Sequence, residues 1–349
     1  MMQTAIDLVL RPGPPKEVSL ARVQLVPPSH PFVSVIVRSY HRPLPLLELV
    51  SRLLRQDYPD YEVVIFEQSN DSDLLRRLES FDSSKLRVIA APATNAPAAR
   101  NAAIRHAIGD IFLFIDDDDL PLGDNWISNH LVNYGDTQCM GVVGRLVSNP
   151  GCLKGPRFPR IIRALAMRHT IFKDTRAYAN NTLPKKGIDF LIGSNASVRR
   201  SLVERIGGWD EGIPMNEEQS FAIKFARMRN AGEYFKFDPS PMMWRRTDVP
   251  GGLARRSGDS WHLREFEARL FYYRHVVGFY FPLRYRLLFP LFLLRALFQV
   301  LEWIWDPDNR QHSFRARLTA SIDMFLRAPL ALRGRRFASN QVRRVPLWL

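Results

Sequence analysis

The residues best suited to chemistry are the four consecutive carboxylates Asp116-Asp117-Asp118-Asp119 and, far downstream, the pair Glu217-Glu218. Four like charges in a row repel and raise one another's pKa unless a cation or strong donors hold them. Oxygen ligands of this kind suit a hard divalent ion, Mg²⁺ or Mn²⁺, which keeps open positions that phosphate oxygens can fill. A solvated acidic turn is the competing account, since Asp119-Leu120-Pro121 also reads as turn chemistry. The glutamates open an expected helix from about Gln219 to Asn230. There they are either a general base held at a helix amino terminus or ordinary compensation of the helix dipole.

The elements that must position these acids can be read from the apolar runs. Ile111-Phe112-Leu113-Phe114-Ile115 is a strand buried on both faces, and it delivers the aspartates to its carboxyl end. That is the edge at which open α/β sheets bind ligands. Upstream, Val33 to Val37 is a strand, Leu44 to Leu54 an amphipathic helix, and Tyr61 to Phe66 a second strand. Leu86 to Ala90 is a third strand, followed by a helix over Ala96 to Ile108. This alternation predicts parallel strands with crossover helices, placing the loops at Ser39, Glu67 and Asp116 on one edge.

Composition bounds the rest. With 349 residues, 46% of them hydrophobic and 24% charged, the chain buries a sizeable core and is not disordered. Cys139 and Cys152 are too few for a disulfide framework and lack zinc-ligand spacing, so a cytoplasmic, reducing setting is the default. Lys and Arg total 49 against 35 Asp and Glu, a net charge of +14, which implies an anionic partner. Beyond Arg274 the acids are only Glu302, Asp306, Asp308 and Asp323, so the excess lies largely in the tail. No recognition helix or stacking motif accompanies it, and nucleic acid is not expected as a partner. Residues 1–30 show no basic region leading into a long apolar core, so no secretory signal is expected.

Val33 to Arg42, Gln56 to Val64, Ala99-Arg100-Asn101-Ala102-Ala103 with Gly109-Asp110, and Asp116 to Asp119 resemble, in order and spacing, successive blocks of the family 2 glycosyltransferases. Phe190 to Arg200 resembles that family's acceptor-side strand and turn. Ile206-Gly207-Gly208-Trp209-Asp210-Glu211 resembles its glycine-glycine-aromatic block, and Glu217-Glu218 sits where the family carries Glu-Asp. The likeness runs from residue 33 to about 240. It implies a GT-A, Rossmann-like α/β fold with a mostly parallel sheet flanked by helices. It also implies a nucleotide-sugar donor, a divalent metal on Asp116 and Asp118, and an inverting displacement with Glu218, or failing that Glu217, as base. Nucleotide contacts are implied for Ser39, Tyr40, Arg42, Glu67, Arg100 and Asp117. Acceptor contacts are implied for Asn195, Trp209 and Asp210, of which Trp209 reads equally as a core residue and Asn195 and Asp210 as turn residues.

Two departures stand out. Glu67-Gln68-Ser69-Asn70 replaces the family's Asp-Asp-Gly-Ser loop, which leaves the donor's base open. Met243-Trp244-Arg245-Arg246 lacks the histidine found after this strand in many relatives; Arg245, Arg246, Arg255 and Arg256, around Pro250-Gly251-Gly252, are the alternative diphosphate contacts. The expected organisation is an extended lead-in over 1–30, a nucleotide-sugar half over 31–145 and an insertion or lid over 146–188. An acceptor and base half follows over 189–258, then a helical basic extension over 259–349. Arg284, Arg286, Arg295 and Glu302, with Pro282 and Pro290, break the extension below the ~20 apolar residues a membrane span needs. It reads either as helices lying on the anionic inner face of the cell membrane or as an appendage packed on the catalytic domain. Together these point to a glycosyltransferase acting on a saccharide or lipid-linked acceptor in cell-surface polysaccharide synthesis, with its oligomeric state open. The alternatives are a GT-A-fold scaffold without turnover and a sugar-phosphate nucleotidyltransferase; the glycine-free Arg38-Ser39-Tyr40-His41-Arg42 argues against the latter.

Overall fold

The computed structural model describes residues 30–148, 182–188, 191, 193–211, 217–246 and 249, with positions 318 and 322 besides. The lead-in, most of the expected insertion, Phe190, Ile192, Pro250-Gly251-Gly252, Arg255, Arg256 and nearly all of the basic extension lie outside the described residues. The first half alternates as its apolar runs dictate: β1 (Val33–Ser39), α1 (Pro43–Leu53), β2 (Tyr61–Glu67), α2 (Ser72–Glu79), β3 (Leu86–Ala90), α3 (Ala96–His106) and β4 (Ile111–Asp116). Helices α2 and α3 start where the sequence provides caps. Asp71 accepts from the Asp73 and Leu74 amides at 3.0 and 3.1 Å, and Asn95 accepts from the Ala98 amide at 2.9 Å, satisfying amides that the helix itself leaves open.

The second half adds β5 (Asp119–Pro121), α4 (Trp126–Leu131), β6 (Cys139–Ser148), β7 (Lys185–Ile188), β8 (Ala196–Arg199), α5 (Arg200–Ile206), α6 (Glu217–Met228) and β9 (Tyr234–Arg245). Gly207, at φ 73°, closes α5 in the left-handed region, a conformation that costs glycine little. The strands form one sheet in the order β3-β2-β1-β4-β8-β6-β9-β5, with β7 paired on β9. Both halves therefore share a single sheet. It is mixed: β3, β2, β1 and β4 run parallel, whereas β8 enters antiparallel between β4 and β6. Asp119-Leu120-Pro121, read from sequence as a turn, is a short strand antiparallel to β9, with Asp119 opposite Arg245. The expected insertion is flanked by sheet rather than set apart from it, since β6 reaches Ser148 and Lys185 to Ile188 lie on β9.

Alternation along the buried strands divides the core between the two faces. Ile111, Leu113 and Ile115 pack with Val35, Leu49, Leu53 and Trp126, whereas Phe112 and Phe114 pack with Ala103, Val198, Trp209 and Phe221. Each of these side chains contributes about 1.5–3 kcal/mol by leaving water. The register fixes the functional edge: Ser39 lies opposite Glu67, and Arg38 opposite Asp116. The carboxyl ends of β1, β2 and β4 thus form one lip, as the strand-helix alternation predicts. No helix among the described residues is long and apolar enough to cross a membrane.

Candidate active site

At this lip the chain leaves β4 and re-enters the sheet as β5 within three residues, so the four aspartates are not equivalent. Carboxylate oxygens of Asp116, Asp118 and Asp119 lie within 4.8 Å of one another. Asp117 accepts from the Arg42 guanidinium at 2.8 Å, through the same nitrogen that pairs with Asp118, and from the Tyr40 amide at 3.3 Å. It therefore holds the loop after β1. Asp119 joins Asp116 and Asp118, the two aspartates that the resemblance implies as metal ligands. Three carboxylates at this spacing fit a hard divalent cation such as Mg²⁺ or Mn²⁺.

Arginines surround the acids. Arg38 is 3.0 Å from Asp116, Arg42 is 2.9 Å from Asp118 and Arg245 is 3.3 Å from Asp119. Arg246 donates to the Asp118 carbonyl at 2.9 Å and pairs with Glu48 on α1 at 2.6 Å. Burial pushes the Asp116 carboxyl up, but Arg38 and Arg100 beside it hold it below the usual range. For Asp118 the balance is reversed: burial, together with the charges of Asp116 and Asp119, raises it to about 7. Asp119 is also raised, by burial that Arg245 only partly offsets. A cation among these groups would relieve that repulsion.

The base candidates lie one arginine away. Arg100, buried on α3, has Nη2 3.7 Å from Asp116 and donates through Nη1 to Glu217 at 2.8 Å and through Nη2 to the Gly193 carbonyl at 3.3 Å. Its guanidinium lies 4.8 Å from the centre of the Trp209 ring, a cation–π contact. Glu217 is committed to Arg100. Glu218 accepts from the Gly193 amide at 3.2 Å, and burial plus the neighbouring Glu217 charge raises its carboxyl to about 7. A Cβ at Gly193 would fall 2.7 Å from Glu218 Oε1 and press on the Arg100 guanidinium, so a side chain there would displace the ends of both.

Where β1 meets β2, Ser39 Oγ and Glu67 Oε2 are buried without a hydrogen-bond partner among the described residues. Glu67 Oε1 is taken by the amide and hydroxyl of Ser69. Gln68 ties this corner together, donating to the Ser39 carbonyl and accepting from the Thr94 amide at 2.8 Å. Unsatisfied buried groups are costly, and these two belong to the strand ends that form the same lip as Asp116.

The three residues expected to contact the acceptor, Asn195, Trp209 and Asp210, are all buried. Asn195, at φ 55°, is wholly buried with its amide saturated. Oδ1 takes Trp126 Nε1 at 2.8 Å and His130 Nε2 at 3.1 Å, and Nδ2 donates to the Arg145 and Pro241 carbonyls. Trp209 is a core residue, 5.6 Å from Phe114 and 4.6 Å from Phe221 between ring centres. Asp210 is buried against Lys224 at 3.0 Å and against the Ser220 hydroxyl. Trp209 Nε1 itself has no hydrogen-bond partner among the described residues. The guanidinium of Arg100, expected to contact the nucleotide, lies against Asp116, Glu217 and the Gly193 carbonyl. Sequence reasoning passed over Arg38 and Ser194; the in-register position opposite Asp116 is the signal that would have found Arg38.

A model of glycosyl transferase family 2 matches residues 34–207. Among curated proteins, the chain is 28% identical over 101 residues to the UDP-Glc:alpha-D-GlcNAc-diphosphoundecaprenol beta-1,3-glucosyltransferase WfgD of Escherichia coli. That match covers 29% of this chain and 38% of the relative. It is 24% identical over 230 residues to the probable glycosyltransferase YdaM of Bacillus subtilis (strain 168), covering 61% of this chain and 50% of the relative. The matches thus span half or less of either relative's length. Among solved structures, mannosyltransferase PcManGT from Pyrobaculum calidifontis, in complex with GDP-Man and Mn²⁺, superposes with a TM-score of 0.50 at 21% identity over 89% of each chain. That likeness is one of fold.

Proposed function

We propose, from the premise that residues 34–207 belong to glycosyl transferase family 2, that this protein moves a sugar from a nucleotide-sugar donor to an acceptor hydroxyl with inversion. The observation that carries this reading is the placement of three converging carboxylates and a second, raised carboxylate on the two sides of Arg100. Asp116, Asp118 and Asp119 would hold Mg²⁺ or Mn²⁺. When bound, such an ion neutralises the charge that grows on the diphosphate as its bond to the sugar breaks. Ser39 Oγ and Glu67 Oε2 face the nucleobase, while Asp117 keeps Tyr40 and Arg42 in the loop beside it.

Glu218 is the base. It takes the proton from the acceptor hydroxyl as that oxygen bonds the anomeric carbon and the bond to the diphosphate breaks. A carboxyl near 7 suits this work at neutral pH. Burial first, and the Glu217 charge after it, keep Glu218 raised, while Glu217 is held by Arg100 and does not act itself. The acceptor is a saccharide or lipid-linked sugar of cell-surface polysaccharide synthesis, a reading the name of the E. coli relative supports. The protein works at the inner face of the cell membrane, held there by the basic excess of residues 259–349. A transfer assay with a panel of nucleotide sugars and Mn²⁺ tests this: released nucleoside diphosphate that vanishes on chelation supports it, and release that ignores chelation overturns the metal-assisted reading.

A further inference from the structure

The turn Gly193-Ser194-Asn195 packs under both ends of the aspartate run. Ser194 is wholly buried. Its hydroxyl donates to Asp119 Oδ2 and accepts from the Asp116 amide at 3.5 Å. One side chain thus ties the last residue of β4 to the first of β5. The turn is itself fixed from behind by the saturated amide of Asn195 and by the His130 and Tyr134 contacts to Ser197, at 3.0 and 2.8 Å. Burial holds His130 neutral, its pKa lowered to about 4, so this support does not change with pH in the neutral range.

We propose that Ser194 is a positioning residue for the cation site: its hydroxyl pins Asp119 beside Asp116 and Asp118 against their mutual repulsion. This rests on the reading of those three aspartates as cation ligands. A carboxylate held by a single arginine, Arg245, would be left to follow that arginine. With the hydroxyl present, one oxygen is anchored from inside the protein and the ligand set is preformed. Groups that orient metal ligands in this way are worth about 10–100-fold in metal affinity.

The test is Mn²⁺ binding to the full chain, read from the electron paramagnetic resonance of free Mn²⁺, with the metal-free melting temperature measured alongside. Ser194→Ala should weaken Mn²⁺ binding about tenfold or more while still unfolding cooperatively without metal, at a melting temperature lowered by the lost buried hydrogen bond, and Ser194→Thr, which keeps the hydroxyl, should restore binding. Wild-type affinity in Ser194→Ala, or a Ser194→Thr as weak as the alanine variant, overturns the proposal and leaves the cation site standing. Absence of Mn²⁺ binding in the unmodified chain overturns the cation reading and this proposal with it. Should the alanine variant not fold, Ser194→Cys, close in size with only a weak donor, gives the same comparison: weaker binding supports the role and unchanged binding overturns it.

Discussion

Glu218 and Asp118 are the residues whose protonation the fold alters most usefully. Both are pushed up to about 7, mainly by burial and then by neighbouring carboxylates. If Glu218 is the base, kcat/KM rises with pH through about 7, and Glu218→Gln loses about 10²–10⁴-fold in turnover while donor binding, measured calorimetrically, stays at wild type. The same shifts act on stability with a definite sign. Groups whose folded pKa is raised contribute stability that is fully present below their unfolded values, 4.5 and 3.8, and lost as pH rises through about 7. The metal-free protein should therefore melt lower as pH climbs through that window, and Asp118→Asn should flatten the trend. Mn²⁺ needs the deprotonated carboxylates, so its affinity should rise over the same interval; affinity that falls there would contradict the ligand assignment.

At the scale of elements, the parallel half was legible because its signals are local. Runs such as Val33 to Val37 and Ile111 to Ile115, capped helices and short loops leave few alternatives, and the lip with Ser39, Glu67 and Asp116 follows from parallel register alone. What was not legible depends on pairings distant in sequence. Asp119-Leu120-Pro121 is a strand only because β9 lies beside it, and Asn195 and Asp210 are used up by residues that only the fold brings near. Trp209 makes the point measurable. As a core side chain under Arg100, its change to Ala should cost about 3–5 kcal/mol in denaturant unfolding; undiminished stability with lost acceptor binding would restore the platform role. Gly193→Ala should lower turnover through misplacement of Glu218 and Arg100, with the far side of the sheet unaffected in hydrogen exchange.

For the whole molecule, one mixed sheet places Ser39, Glu67 and the aspartates along a single edge. The basic extension, residues 259–349, has 15 arginines against 7 acids and so contributes +8 to the net charge of +14, as much as residues 146–188. If it serves the membrane, the full chain should sediment with anionic vesicles at low salt, release as salt screens the attraction, and leave neutral vesicles and DNA unbound. The claim on which everything turns is that Asp116, Asp118 and Asp119 grip a divalent cation that in turn grips a diphosphate. Calorimetric titration of nucleoside diphosphates into the full chain, with Mn²⁺ and again with a chelator, tests it most directly. The account predicts binding in Mn²⁺ that disappears with the chelator and in Asp118→Asn; equal binding in all three would contradict it.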